Sequence, residues 1–582
     1  MARTQDKLPD YLKLYCIEHD AGKYTARDHA SWRYVMRRAV PFFKVNSVKG
    51  YEEGLAATGI SREKIPHIDD VDASLQKFGW GAVPVCGFIP PWAFLEFQAR
   101  KILPIATDMR TVDHIAYTPA PDIVHEAAGH APILPDVDYN EYLSYYAKLG
   151  TKAIYSKQDL QLYEAVRYLS DIKEKPESSA EEIQEAELGL QKAVKAFTYV
   201  SEAAKVGRMS WWTAEYGMVG TPENPKIYGA GLLSSVGESK NAMTDAVKKI
   251  PLSIECTEYA FNITEPQPQL FVAKDMKHLH DVLHELDNTL SYRVGGLSAV
   301  KKALESEAVT TSVLDSGLEV SGIMVDAKNR DEQIDFIKYE GPVQLCHNET
   351  ELSQQGISRH PQGFSSPLGR LKKFTDKPIT SLSDQDFAGV DVRVGELCEL
   401  QYENGFLIKG KLENIHRADS KILYMTFTSC TVTRGEEVFF EPEWGDFDLA
   451  VGEEIKSIYG GPADRENYGE HEIPNTESTP GRAAPYSAEE LSLFNDYQKV
   501  RDLRETGNKE AIAASLPDIC KNNLEKHPSE WLILLEVLEL AQSSKVGLES
   551  TWFNSLKEHL QSKSNFNKED YSLLEHGLEL LH

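Results

Sequence analysis

Two histidines five residues apart are the residues of this sequence whose types and spacing best suggest chemistry. His125 and His130 stand in the segment YTPAPDIVHEAAGHAPILP, and Glu126 directly follows the first of them. In the HExxH pattern of zinc proteases, by contrast, two histidines four residues apart share one helical face. Five residues turn a regular α-helix by about 500°, which leaves the two rings about 140° apart. Both could reach one metal ion only where the backbone departs from regular helical geometry, and Gly129 favours such a departure.

A metal ion held by two histidines needs a third ligand. A carboxylate would complete a set of three on one face of Fe(II) and leave its other positions open. Glu215, in the apolar segment SWWTAEYGM, is the best candidate, because burying a carboxylate there is costly without a compensating cation. Spacing alone does not choose Glu215 over Glu126 or Asp122. From these residues, a metal site and a pair of structural histidines both remain open.

The residue patterns along the whole chain predict a multidomain α+β fold, whose helices and strands must position these residues. The length of 582 residues suggests two to four domains. The patterns predict a mainly α-helical catalytic domain over 1–305. Its charged segment, about 154–206, is predicted to form an inserted, solvated helical hairpin. Alternating apolar and polar residues predict a β-rich domain over 310–460, with Asn404-Gly405 as a two-residue hairpin turn. A turn-rich linker over 461–486 and a small helical domain over 487–582 complete the prediction.

Composition weighs against several classes of protein. The net charge is −28, from 62 Lys and Arg against 90 Asp and Glu, so we expect neither nucleic-acid nor membrane-surface binding. No apolar run reaches the roughly 18 residues that a membrane span needs. The seven cysteines include no CxxC pair, which argues against a disulfide framework or a zinc knuckle. Because the first residues also lack the pattern of a secretory signal, we expect a cytoplasmic protein.

Several motifs follow one another in order between Tyr24 and Val272. They are YTARDHASWR, FGWGAVPVCGFIPPWAFLEFQARKILPIATDMR, TPAPDIVHEAAGH, WWTAEYGM, YGAGLLSSVGE and NITEPQPQLFV. In these motifs and their order, the chain resembles the tetrahydropterin-dependent aromatic amino acid hydroxylases, above all the bacterial members that act on phenylalanine. An ordered series of this kind is far more specific than any single motif.

The resemblance implies roles for the residues at matching positions. It makes His125, His130 and Glu215 the ligands of Fe(II). It implies a pterin site formed by Gly87, Ile89, Phe94 and Glu126, with Glu126 also acting in catalysis. It assigns substrate binding to an arginine that clamps the carboxylate, a serine beside it and the residues that line the amino acid pocket: Arg110, Ser234, Thr118, Pro119, Trp211, Tyr216, Gly231 and Ile263.

The activity implied by the resemblance is hydroxylation of the free amino acid L-phenylalanine to L-tyrosine with O2. Fe(II) and tetrahydrobiopterin, or a related tetrahydropterin, would be the cofactors. The alternatives are a hydroxylase of tyrosine or tryptophan, a zinc hydrolase, and a degenerate, non-catalytic scaffold. The chain departs from the family at Ser210, where tyrosine is usual, and in the insertion, which lengthens the spacing from His130 to Glu215. Neither the role of 310–582 nor the oligomeric state follows from the sequence.

Overall fold

The computed structural model of the chain describes residues 3–85, 89–112, 115, 121–174, 178–262, 265–469 and 486–581. Within these residues the chain mixes helix and sheet, in agreement with the predicted α+β class. None of the described helices combines the length and the apolar composition needed to cross a membrane.

Helices dominate the chain up to residue 306. The longest, α2, begins with a capping box in which the side chains and backbone of Thr25 and Asp28 bond reciprocally, and it buries one apolar side in the core. The α-helices are α1 (Asp10–Lys13), α2 (Ala26–Asn46), α3 (Tyr51–Ala57), α4 (Ile68–Leu75), α5 (Pro91–Ala99), α6 (Val137–Gly150), α7 (Lys157–Glu174), α8 (Ala180–Ala196), α9 (Glu202–Ser210), α10 (Ala230–Leu233), α11 (Val236–Ala242), α12 (Met276–Asp287), α13 (Ser291–Val294) and α14 (Gly296–Ser306).

Two small sheets accompany these helices. Strands β1 (Gly81–Val85) and β2 (Ile102–Ala106) pair in parallel on either side of α5 in the sequence. The second sheet has the order β4-β3-β6-β5, with β3 (Met218–Thr221), β4 (Asn224–Ile227), β5 (Lys248–Pro251) and β6 (Gln269–Ala273). Strand β3 begins three residues after Glu215, so this sheet holds the end of the segment that carries that carboxylate.

Helices α7 and α8 form the charged hairpin within 154–206. Helix α8 begins with a capping box of Ser179 and Glu182, and Ala186 is its one buried residue. Nearly all of α8 therefore faces solvent, which accounts for its charged composition.

Strands follow from Val309 to Gly460 and form two sheets. At Asn404-Gly405 the structure differs from the predicted two-residue turn, because three residues, 403–405, separate Tyr402 from Phe406. Gly405 takes a φ of 90°, which suits the glycine of a three-residue hairpin loop. The elements are β7 (Val309–Leu314), β8 (Leu318–Arg330), β9 (Gln333–His347), β10 (Thr350–Glu351), β11 (Gly363–Pro367), α15 (Asp384–Ala388), β12 (Leu397–Gln401), β13 (Phe406–Ala418), β14 (Lys421–Arg434), β15 (Glu437–Phe440), β16 (Phe447–Ala450) and β17 (Ile455–Gly460).

The helices at the C-terminal end pack onto the first half of the chain. They are α17 (Ala488–Thr506), α18 (Lys509–Lys526), α19 (Trp531–Ser544), α20 (Thr551–Gln561) and α21 (Lys568–Glu579). Their buried side chains belong to the same hydrophobic core as those of α2. Within the predicted linker, Arg465–Tyr468 form a short helix, α16, while 470–485 lie outside the described residues.

Candidate metal centre and active site

A π-helical segment explains the unusual spacing of the two histidines. Val124–His130 form a π-helix, and the backbone N–H of Ala131 donates to the carbonyl oxygen of Glu126, five residues earlier. Residues five apart are neighbours along such a helix, whereas they diverge on an α-helix. The rings of His125 and His130 accordingly lie edge to face, with their centroids 5.1 Å apart.

A second π-helical segment carries Glu215. Trp211–Glu215 continue α9 in this geometry, and the N–H of Tyr216 donates to the carbonyl oxygen of Trp211 at 2.9 Å. The backbone beside Glu215 is tightly packed, because a Cβ added at Gly229 would lie 2.4 Å from the Glu215 carbonyl oxygen. Single π-turns of this kind are rare and occur frequently at functional sites.

The two π-helices bring three predicted metal ligands together. Nε2 of His125 lies 3.3 Å from one carboxylate oxygen of Glu215, and Nε2 of His130 lies 3.2 Å from the other. In the part of the chain that the structure describes, these three residues are the one His, Cys, Asp and Glu group able to hold a metal ion. Ligand atoms about 3 Å apart match neighbouring positions around an ion bound at about 2.1 Å.

The polar groups of this cluster fit a bound cation. His130 is 1% exposed, and neither of its ring nitrogens forms a well-aligned hydrogen bond with a described residue, although Nε2 lies 3.2 Å from Glu215. A buried polar group without a partner costs free energy, which a cation bound at Nε2 would offset. Burial raises the pKa of Glu215, but His130 and His125 outweigh it and hold that pKa well below its ordinary value. The two-histidine, one-carboxylate donor set fits non-haem Fe(II) and also occurs at zinc.

Ser234 orients the first histidine of the cluster. Its Oγ lies 3.1 Å from Nδ1 of His125 and donates its own hydrogen to the carbonyl oxygen of Gly231. The serine oxygen therefore accepts the Nδ1 hydrogen of His125, which leaves the lone pair on Nε2 facing Glu215. A contact that holds the tautomer and orientation of an imidazole in this way is typical of metal-ligating histidines.

Arg110 is buried and already bound to a carboxylate of the protein. Its Nε and Nη2 donate to the two oxygens of Asp122 at 2.7 and 2.8 Å, and Nη1 donates to the carbonyl oxygen of Ser234 at 3.3 Å. These contacts use three of the five N–H donors of a guanidinium group. Burial raises the pKa of Asp122, but the hydrogen-bonded Arg110 outweighs it and keeps that pKa below its ordinary value.

Three aromatic rings stack beside Glu215. The ring of Trp211 lies 4.7 Å from that of Tyr216 and 4.2 Å from that of Phe261, nearly parallel to both. Gly231 gives the Tyr216 ring its space, because a Cβ there would approach the ring to 2.9 Å. Offset aromatic stacking of this kind could extend to the ring of an aromatic ligand.

Of the predicted pterin residues that the structure describes, Ile89 and Phe94 lie just before and on α5, and Glu126 lies in the π-helix of the two histidines. Ile89 is 7% exposed, and Phe94 packs with it against a small core that includes Trp92. Glu126 is 4% exposed, and its Oε2 has no hydrogen-bond partner in the described part of the chain. Burial raises the pKa of Glu126 to about 8, with His130 lowering it and Glu215 raising it.

Sequence reasoning missed one residue of this site and left another open. Phe261, the third ring of the stack, stands two residues before the predicted Ile263, and its aromatic type was the only signal that could have identified it. Asp122, considered above as a metal ligand, instead binds Arg110 and accepts the backbone N–H of His125. Four predicted site residues lie outside the described residues: Gly87, Thr118, Pro119 and Ile263.

Comparison with known proteins relates part of this chain to a known family. The family model described as biopterin-dependent aromatic amino acid hydroxylase matches residues 18–161 and 186–318. The unmatched residues 162–185 fall within the hairpin of α7 and α8. A phenylalanine-4-hydroxylase of Pseudomonas aeruginosa is 28% identical over 266 residues, which are 45% of this chain and 84% of that protein. A probable aromatic amino acid hydroxylase of Chlamydia pneumoniae is 29% identical over 257 residues, covering 44% of this chain and 63% of the relative.

Among solved structures, the phenylalanine hydroxylase of Chromobacterium violaceum is similar to this chain. A crystal structure of that enzyme with bound iron(III) and 7,8-dihydrobiopterin has a TM-score of 0.38 and 22% sequence identity. The match covers 48% of this chain and 92% of the crystallised chain.

Proposed function

Because this chain belongs, through residues 18–161 and 186–318, to the biopterin-dependent aromatic amino acid hydroxylase family, we propose that it hydroxylates L-phenylalanine to L-tyrosine. Fe(II), a tetrahydropterin and O2 are the other participants in this proposal. The observation that carries it is the convergence of His125, His130 and Glu215, each with a ligand atom turned toward the other two.

In this proposal the three residues hold the iron through Nε2 of each histidine and the carboxylate of Glu215. Bound there, Fe(II) with a tetrahydropterin would supply activation of O2 for transfer of one oxygen atom to the substrate ring. The protein's own contribution is to position the reactants and to keep its ligands in the right ionisation and tautomeric states. Ser234 holds the tautomer of His125, and the low pKa of Glu215 keeps that ligand a carboxylate.

Arg110 and the aromatic stack fit the two ends of an aromatic amino acid. Two N–H donors of Arg110 remain beyond the three used by Asp122 and Ser234, and a substrate carboxylate could accept both. Trp211, Tyr216 and Phe261 offer an aromatic wall against which a phenyl ring could pack. The ring of Phe94 and the buried carboxyl of Glu126 are the group types that suit the flat face and the polar edge of a pterin ring.

The choice of phenylalanine over tyrosine or tryptophan as the substrate is the most specific part of the proposal. It draws on the names of the bacterial relatives and on Trp211, which the resemblance matches better to hydroxylases of phenylalanine and tyrosine than to those of tryptophan. An apolar wall rejects an added hydroxyl only modestly, so side activity on tyrosine would be compatible with the same pocket.

Anaerobic reconstitution with Fe(II) followed by addition of O2, tetrahydrobiopterin and an amino acid tests the proposal. We expect tyrosine, identified by mass and retention time, only when iron and pterin are both present, and a lower rate with tyrosine or tryptophan as substrate. Hydrolytic activity without pterin and O2 would favour the zinc hydrolase instead. Failure to bind iron at all would favour the non-catalytic scaffold.

Replacing the carboxylate ligand gives the matched variant experiment. Glu215→Ala should lose both bound iron and turnover, because it removes one of the three ligands. Glu285→Ala, which removes an exposed carboxylate of α12, should keep both. An active, iron-loaded Glu215→Ala protein would contradict the assignment of the ligands.

A further inference from the structure

The junction between the C-terminal helices and the first half of the chain is built from paired charges. Arg27 of α2 binds Glu530 at 2.8 Å, and Arg33 binds Glu536 at 2.8 Å. Arg37 and Arg33 both bind Glu539, and Arg504 also binds Glu536. Direct pairing of arginine with glutamate is therefore the rule where these two parts of the chain meet.

A cavity of about 530 Å³ at this junction departs from that rule. The chain from Gly59 to Asp70 forms one wall, α2 contributes His29, and α17 contributes Arg501. This volume lies within the range of small-molecule sites, about 300–1,000 Å³. None of the lining residues belongs to the candidate iron, pterin or substrate set.

The cations of the cavity are not paired across the junction. Lys64 has no ion-pair partner among the described residues, and Arg501 binds Glu505 of its own helix, whose side chain is 62% exposed. An exposed pair within one helix is weak, so Arg501 remains available to a stronger partner. This availability contrasts with Arg33, whose guanidinium is enclosed by glutamates.

Two imidazoles, those of His29 and His67, line the same cavity. The backbone N–H of Ile65 donates to Nδ1 of His29, and that of Asp69 donates to Nδ1 of His67. A neutral imidazole that accepts at Nδ1 carries its hydrogen on Nε2, so each ring keeps a donor there. Burial, together with the neighbouring Arg501 and Lys64, lowers the pKa of His29 to about 4, and the contribution of these two cations is in keeping with a positive local potential.

The acidic residues of the lining do not cancel these donors. Asp69 is bound by Arg3 at 2.7 Å. Asp70 is exposed in the first turn of α4, where a carboxylate suits the positive end of the helix dipole. Ile65 and Pro66 are buried and add apolar surface beside the polar groups.

We infer that this cavity binds a small organic oxyanion, a carboxylate or a phosphate ester, between the first half of the chain and the C-terminal helices. Lys64 and Arg501 pair with the anionic group, the imidazoles of His29 and His67 donate to it, and Ile65 and Pro66 pack against its organic part. The site is separate from the proposed reaction and does not depend on it.

Calorimetric titration of the full chain with inorganic phosphate, and separately with acetate, at constant ionic strength tests the inference. We expect dissociation constants in the millimolar range or below for at least one probe, and the stronger of the two identifies the class of anion. Lys64→Gln and Arg501→Gln should each weaken binding about tenfold, the loss of one charge-assisted contact. Lys77→Gln, which removes an exposed lysine outside the lining, is the matched control and should bind as the unchanged protein does.

Two results would overturn the inference. Equal affinity in all four proteins would mean an adventitious ion only, bound elsewhere on the surface. Absence of measurable heat with either probe up to about 10 mM, in a protein whose unfolding transition is intact, would mean that the cavity holds no anion of this class.

Discussion

At the scale of single residues, the candidate site depends on side chains that act on other side chains. Ser234 contacts both a proposed metal ligand and the proposed substrate-binding arginine. Its Oγ accepts a hydrogen from His125, and its carbonyl oxygen accepts one from Arg110. Asp122 likewise accepts from the side chain of Arg110 and from the backbone of His125. Two short polar residues therefore join the proposed metal ligand His125 to the proposed substrate-binding Arg110.

Ser234→Ala should weaken Fe(II) binding about 10- to 100-fold, because His125 loses the acceptor that holds its tautomer and orientation. Competition with a chromophoric chelator under anaerobic conditions measures this affinity. Ser239→Ala is the matched control, since Ser239 is also buried but donates to the carbonyl oxygen of Leu232. Equal affinity in the two variants would show that the contact with His125 does not tune the metal site.

Asp122→Ala should lower the free energy of unfolding by about 3–5 kcal/mol, because it leaves the guanidinium of Arg110 buried without its partner. The side chains of Arg110 and Asp122 are each 3% exposed, so water cannot replace the lost carboxylate. Urea denaturation measures the change. Asp384→Ala removes a 2.9 Å pair with Arg417 in which the aspartate is 86% exposed, and we expect it to cost less than about 1 kcal/mol.

At the scale of elements, the two π-helices are the local structures that make the site. One turns His125 and His130 toward a common point, and the other ends at Glu215. The first packs closely against α10, where a Cβ on Gly129 would lie 2.7 Å from the carbonyl oxygen of Ala230. The absence of a side chain at Gly129 therefore sets how closely the histidine segment approaches the segment that carries Ser234.

Gly129→Ala should destabilise the protein by about 1–3 kcal/mol, because the added methyl group forces the π-helix away from α10. Iron affinity should fall in the same variant, since both histidines move with that helix. Gly189→Ala in the middle of α8 is the control, because a Cβ there meets nothing within 4 Å. We expect the control to gain roughly 0.5–1 kcal/mol from helix propensity. Thermal unfolding and chelator competition measure the two effects, and a stable, iron-binding Gly129→Ala protein would refute the packing argument.

At the scale of the whole molecule, the C-terminal helices share the core of the first half of the chain. The ring of Tyr34 packs edge to face on Trp531 at 5.0 Å, and its hydroxyl donates to the carbonyl oxygen of Leu573. Arg33 adds a buried ionic contact to Glu536 and Glu539. Since α2 also supports α3 and β4, these helices stabilise the fold around the candidate site.

The buried ionic contact predicts a dependence of stability on pH. Burial raises the pKa of Glu539, but Arg33, Arg37 and Arg504 outweigh it and hold that pKa below its ordinary value. A carboxylate with a lowered pKa contributes stability that is complete above its unfolded pKa, near 4.5, and is lost as pH falls through the folded pKa. The urea midpoint of the unchanged protein should therefore drop as pH falls from about 5 toward 3.

Glu539→Gln should show a shallower drop over the same range, because it removes one group whose protonation opposes folding. At neutral pH it should already be less stable, since Arg33 and Arg37 lose a charged partner. Glu549→Gln, at an exposed glutamate, is the control and should follow the unchanged protein at every pH. Parallel curves for Glu539→Gln and the unchanged protein would show that the junction does not contribute to the pH dependence.

The sequence by itself determined the features that depend on residue type and local pattern. Short segments were enough to predict the helical and β-rich parts of the chain and the charged helical hairpin of α7 and α8. They also identified His125 and His130 as side chains able to bind a metal. The ordered motifs added the family and the candidate set. The i, i+5 spacing also implied that both histidines could reach one metal only where the backbone departs from an α-helix, because the residues per turn fix which side chains are neighbours.

Only the tertiary structure decided which distant groups meet. Glu215 stands 85 residues after His130, and spacing alone does not distinguish it from Glu126 or Asp122. Its contact with both imidazoles comes from packing the two π-helices together, as does the use of Asp122 by Arg110. The docking of α19 on α2 joins residues about 500 apart, such as Arg33 and Glu539, whose pairing depends on the path of the whole chain. Residue types and local periodicity carry no information about that path, so the cavity at this junction could not be foreseen from the sequence.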